Sequence, residues 1–389
     1  MGTQIVITGD IGFDKYMDKK WKDSELISES CLEFLCSADH VVINVEGPLL
    51  KKEKEETTGS KALIHSMDPE AADFFVKLGA DIWNINNNHI MDAGEKGIKD
   101  TILIAKEKNV KTLGAGMNIK EAAEPLVINE CGGIALIGTG YERACRIATF
   151  DTPGCLNFSR MDIIESAIKQ AKANNRWCVV IAHDGEEFTS LPMPYTRDRY
   201  IKYLEFGADI VVAHHPHVPM NYELFDNNKA IFYSLGNFIF DTDYQRSQFN
   251  TEKGVLLKLI FTDSCFSFTP FGISIDRDAG RIVESEIPDI FTNVTKEEYE
   301  KLLPLAAKAF IENTKRQLRY LKPDKFVNAT DEDFVENFYE PLRSGRVPGK
   351  ILDMQIVYPL SLQADNEMWQ KSKLDRVKEY ILSQIREKD

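Results

Sequence analysis

The sequence predicts an α/β fold, and three observations carry that prediction. Short β-rich runs alternate with helix-like segments over the first two thirds of the 389 residues. The runs are almost continuously apolar, as strands covered on both faces by other layers must be. The segments between them carry their own start and stop signals for helices.

Taken in order, the strand candidates are QIVITGD at 4–10, VVINVEG at 41–47, DIWNINNNH at 81–89 and GIALIGTG at 133–140. They continue with WCVVIAHDG at 177–185, DIVVAHHPH at 209–217 and AIFYSLGNFIF at 230–240. A helix is expected over 68–78, where Asp68-Pro69 opens it and Gly79 follows its end. Another is expected over 160–174, because Ile163, Ile164, Ala167, Ile168 and Ala171 recur at helical spacing. From residue 255, VLLKLIFTD and CFSFTPFGISID read as further sheet, with alternation clearest at Phe266 and Phe268. Beyond about residue 290 the chain is rich in charge and helix formers, as in TKEEYEKLLPLAAKAFIENTKRQLRYL and later DRVKEYILSQIREK. The expected organisation is an α/β domain over 1–285 followed by a mostly helical extension over 286–389.

Composition narrows the function classes. With 47 Lys+Arg against 61 Asp+Glu, the formal net charge is -14. Such a surface disfavours nucleic acid and anionic membranes as non-specific partners, because both need basic groups. An anionic substrate, small molecule or polymer, stays in play because a divalent metal reverses the field locally. The seven cysteines are scattered and never spaced as CxxC, the pattern of ordinary thiols in a reducing compartment. Cys178, inside the apolar run WCVVIA, reads as a small buried hydrophobe. The first strand begins at residue 4, which leaves no room for a signal peptide, and no run approaches the ~18 apolar residues of a membrane span. A soluble, cytoplasmic protein is therefore expected. Lys51–Glu56, KKEKEE, reads as a solvated loop.

Chemistry enters at the carboxyl ends of the strands, where open α/β sheets bind ligands. Those ends carry Asp10, Glu46, Asn88 with His89, His183, and the histidines of VVAHHPHV. Each has an ordinary structural reading alone, as a cap, a solvated terminus or a buried hydrogen-bond partner. Convergence of all of them on one pocket is better explained by a ligand they share. A mixed oxygen and nitrogen set suits Mn²⁺, Fe²⁺ or Zn²⁺, whereas Mg²⁺ and Ca²⁺ prefer oxygen. Six donors exceed what one open catalytic ion needs and suit two ions that share a bridging ligand. In an extended segment residues two apart face the same side, so His215 and His217 are expected in the pocket and His214 outside it. Asn237, in the tight turn of YSLGNFIFD, is a candidate for hydrogen-bonding a substrate phosphate or carboxylate, or else satisfies backbone at a corner. Glu186 and Glu187 are candidates for orienting an imidazole, and Arg143, Arg146, Arg197 and Arg199 for gripping an anion.

The motifs VVINVEGPL, NINNNHIMDAGEKGIKDT, TLGAGMNIKEAAEP, VVIAHDGEEF, GADIVVAHHPHV and IFYSLGNFIFD occur in this order between about residues 4 and 243. By them the chain resembles the CapA family of capsule and poly-γ-glutamate synthesis proteins, which is similar in fold to the calcineurin-like metallophosphoesterases. The resemblance implies a four-layer αββα sandwich and a divalent-metal centre, with Asp10 on the first ion and Glu46 as the bridge. It implies Asn88, His183 and His215 on the second ion, His217 on the first, and His89 as the group that protonates the leaving oxygen. One position departs from the superfamily pattern: its first motif is Asp-x-His, and Gly12 stands in the third place. The resemblance implies a metal-dependent hydrolase of phosphoesterase type. Hydrolysis or transfer at a γ-glutamyl amide, and a non-catalytic polymer- or partner-binding component, are the alternatives.

Overall fold

Strand alternation decides where each layer's side chains go. The computed structural model describes residues 2–50, 65–140, 146–226 and 228–330. Lys51–Glu56, Arg143, Cys145 and the helical segment expected over 375–388 lie outside the described residues.

The first sheet has eight strands. Seven run in the spatial order Arg281–Glu284, Phe266–Asp276, Lys253–Phe261, Thr3–Ile11, His40–Val45, Ala80–Asn84 and Lys111–Leu113, and Asn237–Ile239 pairs with Thr3–Ile11. The four from Thr3–Ile11 to Lys111–Leu113 are parallel, and the rest of that path is antiparallel. The second sheet has six strands in the order Tyr222–Phe225, Lys229–Phe232, Ile210–His214, Trp177–His183, Ile134–Gly140 and Leu126–Ile128. Its inner four are parallel and both edge strands antiparallel.

Among the described residues, period-two alternation sorts the buried side chains of the two large sheets into three apolar clusters. Ile5, Ile7, Val42 and Ile82 of the first sheet share one cluster with Val179, Ile181, Ile210 and Val212 of the second. The alternate residues Val6, Val41, Ile43 and Trp83 pack with Cys31 and Leu35 of helix Glu29–Cys36, Phe75 of Ala71–Lys77 and Ile98 of Gly94–Glu107. On the second sheet, Cys178, Val180, Val211 and Ala213 pack with Ile164, Ala167, Ile168 and Ala171 of helix Met161–Asn174. The protein is thus mixed α/β.

Two strand expectations need correction. Strand 81–89 ends at Asn84, so Asn86–His89 lie in the following loop, where buried side chains of Asn86 and Asn87 bind neighbouring backbone. The run 230–240 is two strands, Lys229–Phe232 in the second sheet and Asn237–Ile239 in the first. Gly236 makes the crossing, with φ +71° and the Lys253 carbonyl oxygen 2.7 Å from where a Cβ would stand. An unbroken apolar run carries no mark of which sheet each half joins.

Two compact units account for the chain: residues 1–188 with 200–293, and residues 189–199 with 294–389. In the second unit helix Lys296–Leu321 begins with a capping box, in which Thr295 Oγ1 accepts from the Glu298 amide and Glu298 Oε2 accepts from the Thr295 amide. Among the described residues no helix is long and apolar enough to cross a membrane.

Candidate metal centre

The site assembles from the carboxyl ends of both sheets. Asp10 lies one residue before the end of the first strand, opposite Asn44 on one side and Asn237 on the other. Asn84 Nδ2 donates to Asn44 Oδ1 at 2.8 Å, and Asn44 Nδ2 donates to Asp10 Oδ1 at 2.8 Å. This buried amide relay fixes the Asp10 carboxylate. Glu46 follows the second strand, its amide bound to the Ile11 carbonyl at 2.9 Å, and Gly47 turns the chain away with φ +108°.

Glu46 is fully buried, and neither carboxylate oxygen makes a hydrogen bond. Burial pushes its carboxyl well above the usual range. A buried carboxylate without hydrogen bonds is costly unless cations compensate it. Two donor groups share this residue: Asp10, Glu46 and His217 form one, and Glu46, His183 and His215 the other, the donor atoms of each within 4.8 Å of one another. The oxygen and nitrogen donors, and a Glu46 carboxylate buried without a hydrogen bond, fit a divalent-metal centre.

His183 ends its strand with Nε2 2.7 Å from Asn88 Oδ1 and 3.7 Å from Glu46 Oε1. Asn88 therefore stands beside the second group. Burial, then the neighbouring histidines, holds His183 well below the ordinary imidazole value. Burial brings His215 down to about 4. Both rings are neutral near pH 7, the form a metal ligand requires. His217 is the opposite case: burial acts downward, but the charges of Glu46 and Asp10 outweigh it and raise the ring to about 10, so it is their counter-charge here and would release its proton on holding an ion. The Asp10 carboxyl, which burial alone would raise, is held low chiefly by its contact with His217, 3.4 Å away.

His215 and His217 fall in the two donor groups, but not by the extended geometry expected for them. The strand stops at His214, whose Nε2 lies 2.7 Å from the Thr8 carbonyl oxygen and which belongs to neither donor group. His215 and His217 then adopt φ +94° and +58°, so no extended segment carries them. Left-handed backbone at two non-glycine residues costs about 1–2 kcal/mol each, strain of the kind retained where a side chain must be aimed. Phe188 braces this turn, donating its amide to the Pro216 carbonyl at 2.8 Å and stacking on the His217 ring.

His89 lies beside the centre, its Nδ1 2.7 Å from Asp92 Oδ2 and its amide donating to Asn87 Oδ1 at 3.1 Å. Burial, then the nearby His65, depresses its ring to about 4. Asn237 is fully enclosed: Oδ1 lies 2.9 Å from His217 Nδ1, and Nδ2 donates to the Thr251 carbonyl at 2.9 Å and to Gln245 Oε1 at 3.2 Å. With its amide committed in this way it steers His217, in place of the substrate contact considered for it. Glu187 accepts the Tyr244 hydroxyl at 3.2 Å, and its charge is felt at His215 and Glu46. Arg146 makes an exposed ion pair with Glu95 at 3.1 Å. Arg197 stacks over the Tyr299 ring in the second unit.

Position 12 explains the departure from Asp-x-His. A Cβ on Gly12 would stand 2.3 and 2.5 Å from the Phe240 ring carbons. Phe240 fills the room a histidine would need and stacks on His217, centroids 5.0 Å apart. Sequence reasoning missed His65, Asp14, Asp92 and Asn44. His65 Nδ1 lies 2.8 Å from Asp14 Oδ2, and its ring meets His89 edge-on with centroids 4.2 Å apart. A lone histidine after a charged run of sequence gave no signal of this.

Residues 4–242 match the bacterial capsule synthesis protein PGA_cap family. The capsule biosynthesis protein CapA of Bacillus anthracis is 34% identical over 223 residues, covering 55% of this chain and 54% of the relative. The PGA biosynthesis protein CapA of Bacillus subtilis (strain 168) is 29% identical over 245 residues, 62% of this chain and 64% of the relative. A probable polyglutamine synthesis accessory protein of Mycobacterium tuberculosis is 22% identical over 234 residues, 57% and 59% of the two chains. The matches thus span between about half and two thirds of each curated relative. The family match includes every strand end that contributes to the centre, and the chain belongs to the bacterial capsule synthesis protein PGA_cap family.

Proposed function

We propose that the chain is a metal-dependent hydrolase of phosphoesterase type, acting on an anionic small molecule or polymer. The observation that carries this reading is Glu46, buried without hydrogen bonds and common to two donor groups. Asp10, Glu46 and His217 would hold one divalent ion and Glu46, Asn88, His183 and His215 the other, with Mn²⁺, Fe²⁺ or Zn²⁺ as candidates. When bound, such ions acidify water and polarise the substrate oxygens. The packing of both sheets between helix-bearing clusters supports the four-layer αββα sandwich in which such centres sit.

The protein's own groups then hold and orient. The Asn84–Asn44 relay fixes Asp10, Asn237 fixes His217, and Asp92 fixes His89 so that Nε2 is the edge left for a leaving group. The low His89 value suits this role only with substrate present, since an anion beside the ring draws a proton onto it. The relatives' names speak of capsule and PGA biosynthesis, and with the family's link to poly-γ-glutamate this supports a second target, a γ-glutamyl amide, for the same centre. The three-residue donor group left by Gly12 and Phe240 supports a binding role without turnover.

Metal analysis of the purified protein, followed by assays with p-nitrophenyl phosphate and a bis-ester in added Mn²⁺, decides among these. The expected result is at least one bound metal per chain, turnover of one ester, and a loss of about 10²- to 10⁴-fold in kcat for His89→Ala. Less than one metal with no turnover overturns the hydrolase reading.

A further inference from the structure

Beside the donor groups stand two imidazoles built alike. His89 has Nδ1 on Asp92 and His65 has Nδ1 on Asp14, and Asp92 Oδ2 also accepts the His65 amide at 2.8 Å. The rings meet edge-on, 4.2 Å between centroids, and His65 packs on the Phe240 ring that stacks on His217. The backbone and Cβ of His65 also lie 3.2 Å from where a Cβ on Gly47, next to Glu46, would stand. His65 thus borders the same centre. Neither Nε2 makes a hydrogen bond among the described residues, and neither is sealed as the Glu46 oxygens are. The two side chains keep 10% and 13% of their surface open.

A carboxylate on Nδ1 fixes a ring's rotation and leaves Nε2 as its working edge. A second ring fixed in this way next to the first is more than packing needs, since a Phe or Leu would fill the same volume without burying a carboxylate contact. We propose that His65, oriented by Asp14, is a substrate-contacting residue: with Nδ1–H donated to Asp14, its Nε2 takes up a proton as the anion binds and, beside His89, donates a hydrogen bond to an oxygen of a tetrahedral oxyanion such as a phosphate ester. This rests on the phosphoesterase-type reading and adds to it a specificity element for the non-metal side of the anion.

The test uses the amide analogues of the two ring nitrogens. In His65→Gln the side-chain amide stands in for Nε2, and in His65→Asn it stands in for Nδ1. With Mn²⁺-loaded full-length protein and inorganic phosphate as probe, calorimetry should show His65→Ala and His65→Asn weakening phosphate binding about 10- to 100-fold, and His65→Gln largely restoring it. Metal content and Tm, read on each variant, should stay close to those of the parent. Rescue by Asn and not Gln, equal binding by all variants, or no phosphate binding by the parent would each overturn the proposal. If the parent binds phosphate yet turns over no ester, the hydrolase reading fails while the His65 comparison is still read from binding.

Discussion

At the scale of single residues, Gly12 and Phe240 form one unit. Gly12→His alone drives a side chain into the Phe240 ring, an overpacking that costs about 1–3 kcal/mol and displaces the ring from His217. Phe240→Ala alone opens a cavity at a cost of about 3–5 kcal/mol. The double variant places a histidine in the space that Phe240 leaves, next to Asp10 and His217. We expect it to bind Mn²⁺ at least tenfold more tightly than Gly12→His in a chelator competition. Equal affinity would show that Phe240 does not keep a ligand out. This pairing was hidden in the sequence, where Gly12 reads as an omission and Phe240 as one more apolar residue. Asp10, Glu46 and the histidines were legible because a titratable group at the end of an apolar strand is conspicuous. His65 was not, because its partner Asp14 is 51 positions away and only the fold brings them together.

At the scale of elements, the alternation of buried strands and helices was legible from apolar periodicity, and the turns that aim the ligands were not. His215 and His217 share a pocket through left-handed backbone, which no residue type other than glycine advertises. The passage between the sheets at Ser234–Gly236 is the same kind of feature, and it positions Asn237 against Asp10 and His217. Gly236→Ala puts a methyl group 2.7 Å from the Lys253 carbonyl oxygen and 2.8 Å from Pro219 Cδ, at φ +71°. A loss of about 2 kcal/mol or more in urea unfolding is expected, with weaker metal binding because Asn237 shifts away from His217. A variant that unfolds like the parent and keeps its metal would show that the crossing does not set the ligand geometry.

At the scale of the whole molecule, stability against alkaline pH has an identifiable source in the second sheet. Cys178 is fully buried under helix Met161–Asn174, and burial, then the nearby Asp209 carboxylate, pushes its thiol up to about 12. The folded value lies above the unfolded one of about 9, so the native state keeps a proton that the unfolded chain releases. The contribution is complete below pH about 9 and disappears as pH rises towards 12, a total on the order of 4 kcal/mol. Cys178→Ala should therefore flatten the fall of the urea midpoint between those limits. In the native protein at pH 8, iodoacetamide should modify the exposed Cys36 and Cys265 and spare Cys178. Modification of Cys178 at the rate of Cys36 would mean that this helix opens from the sheet without global unfolding, and the layer that carries His183 would then be the labile half of the metal centre.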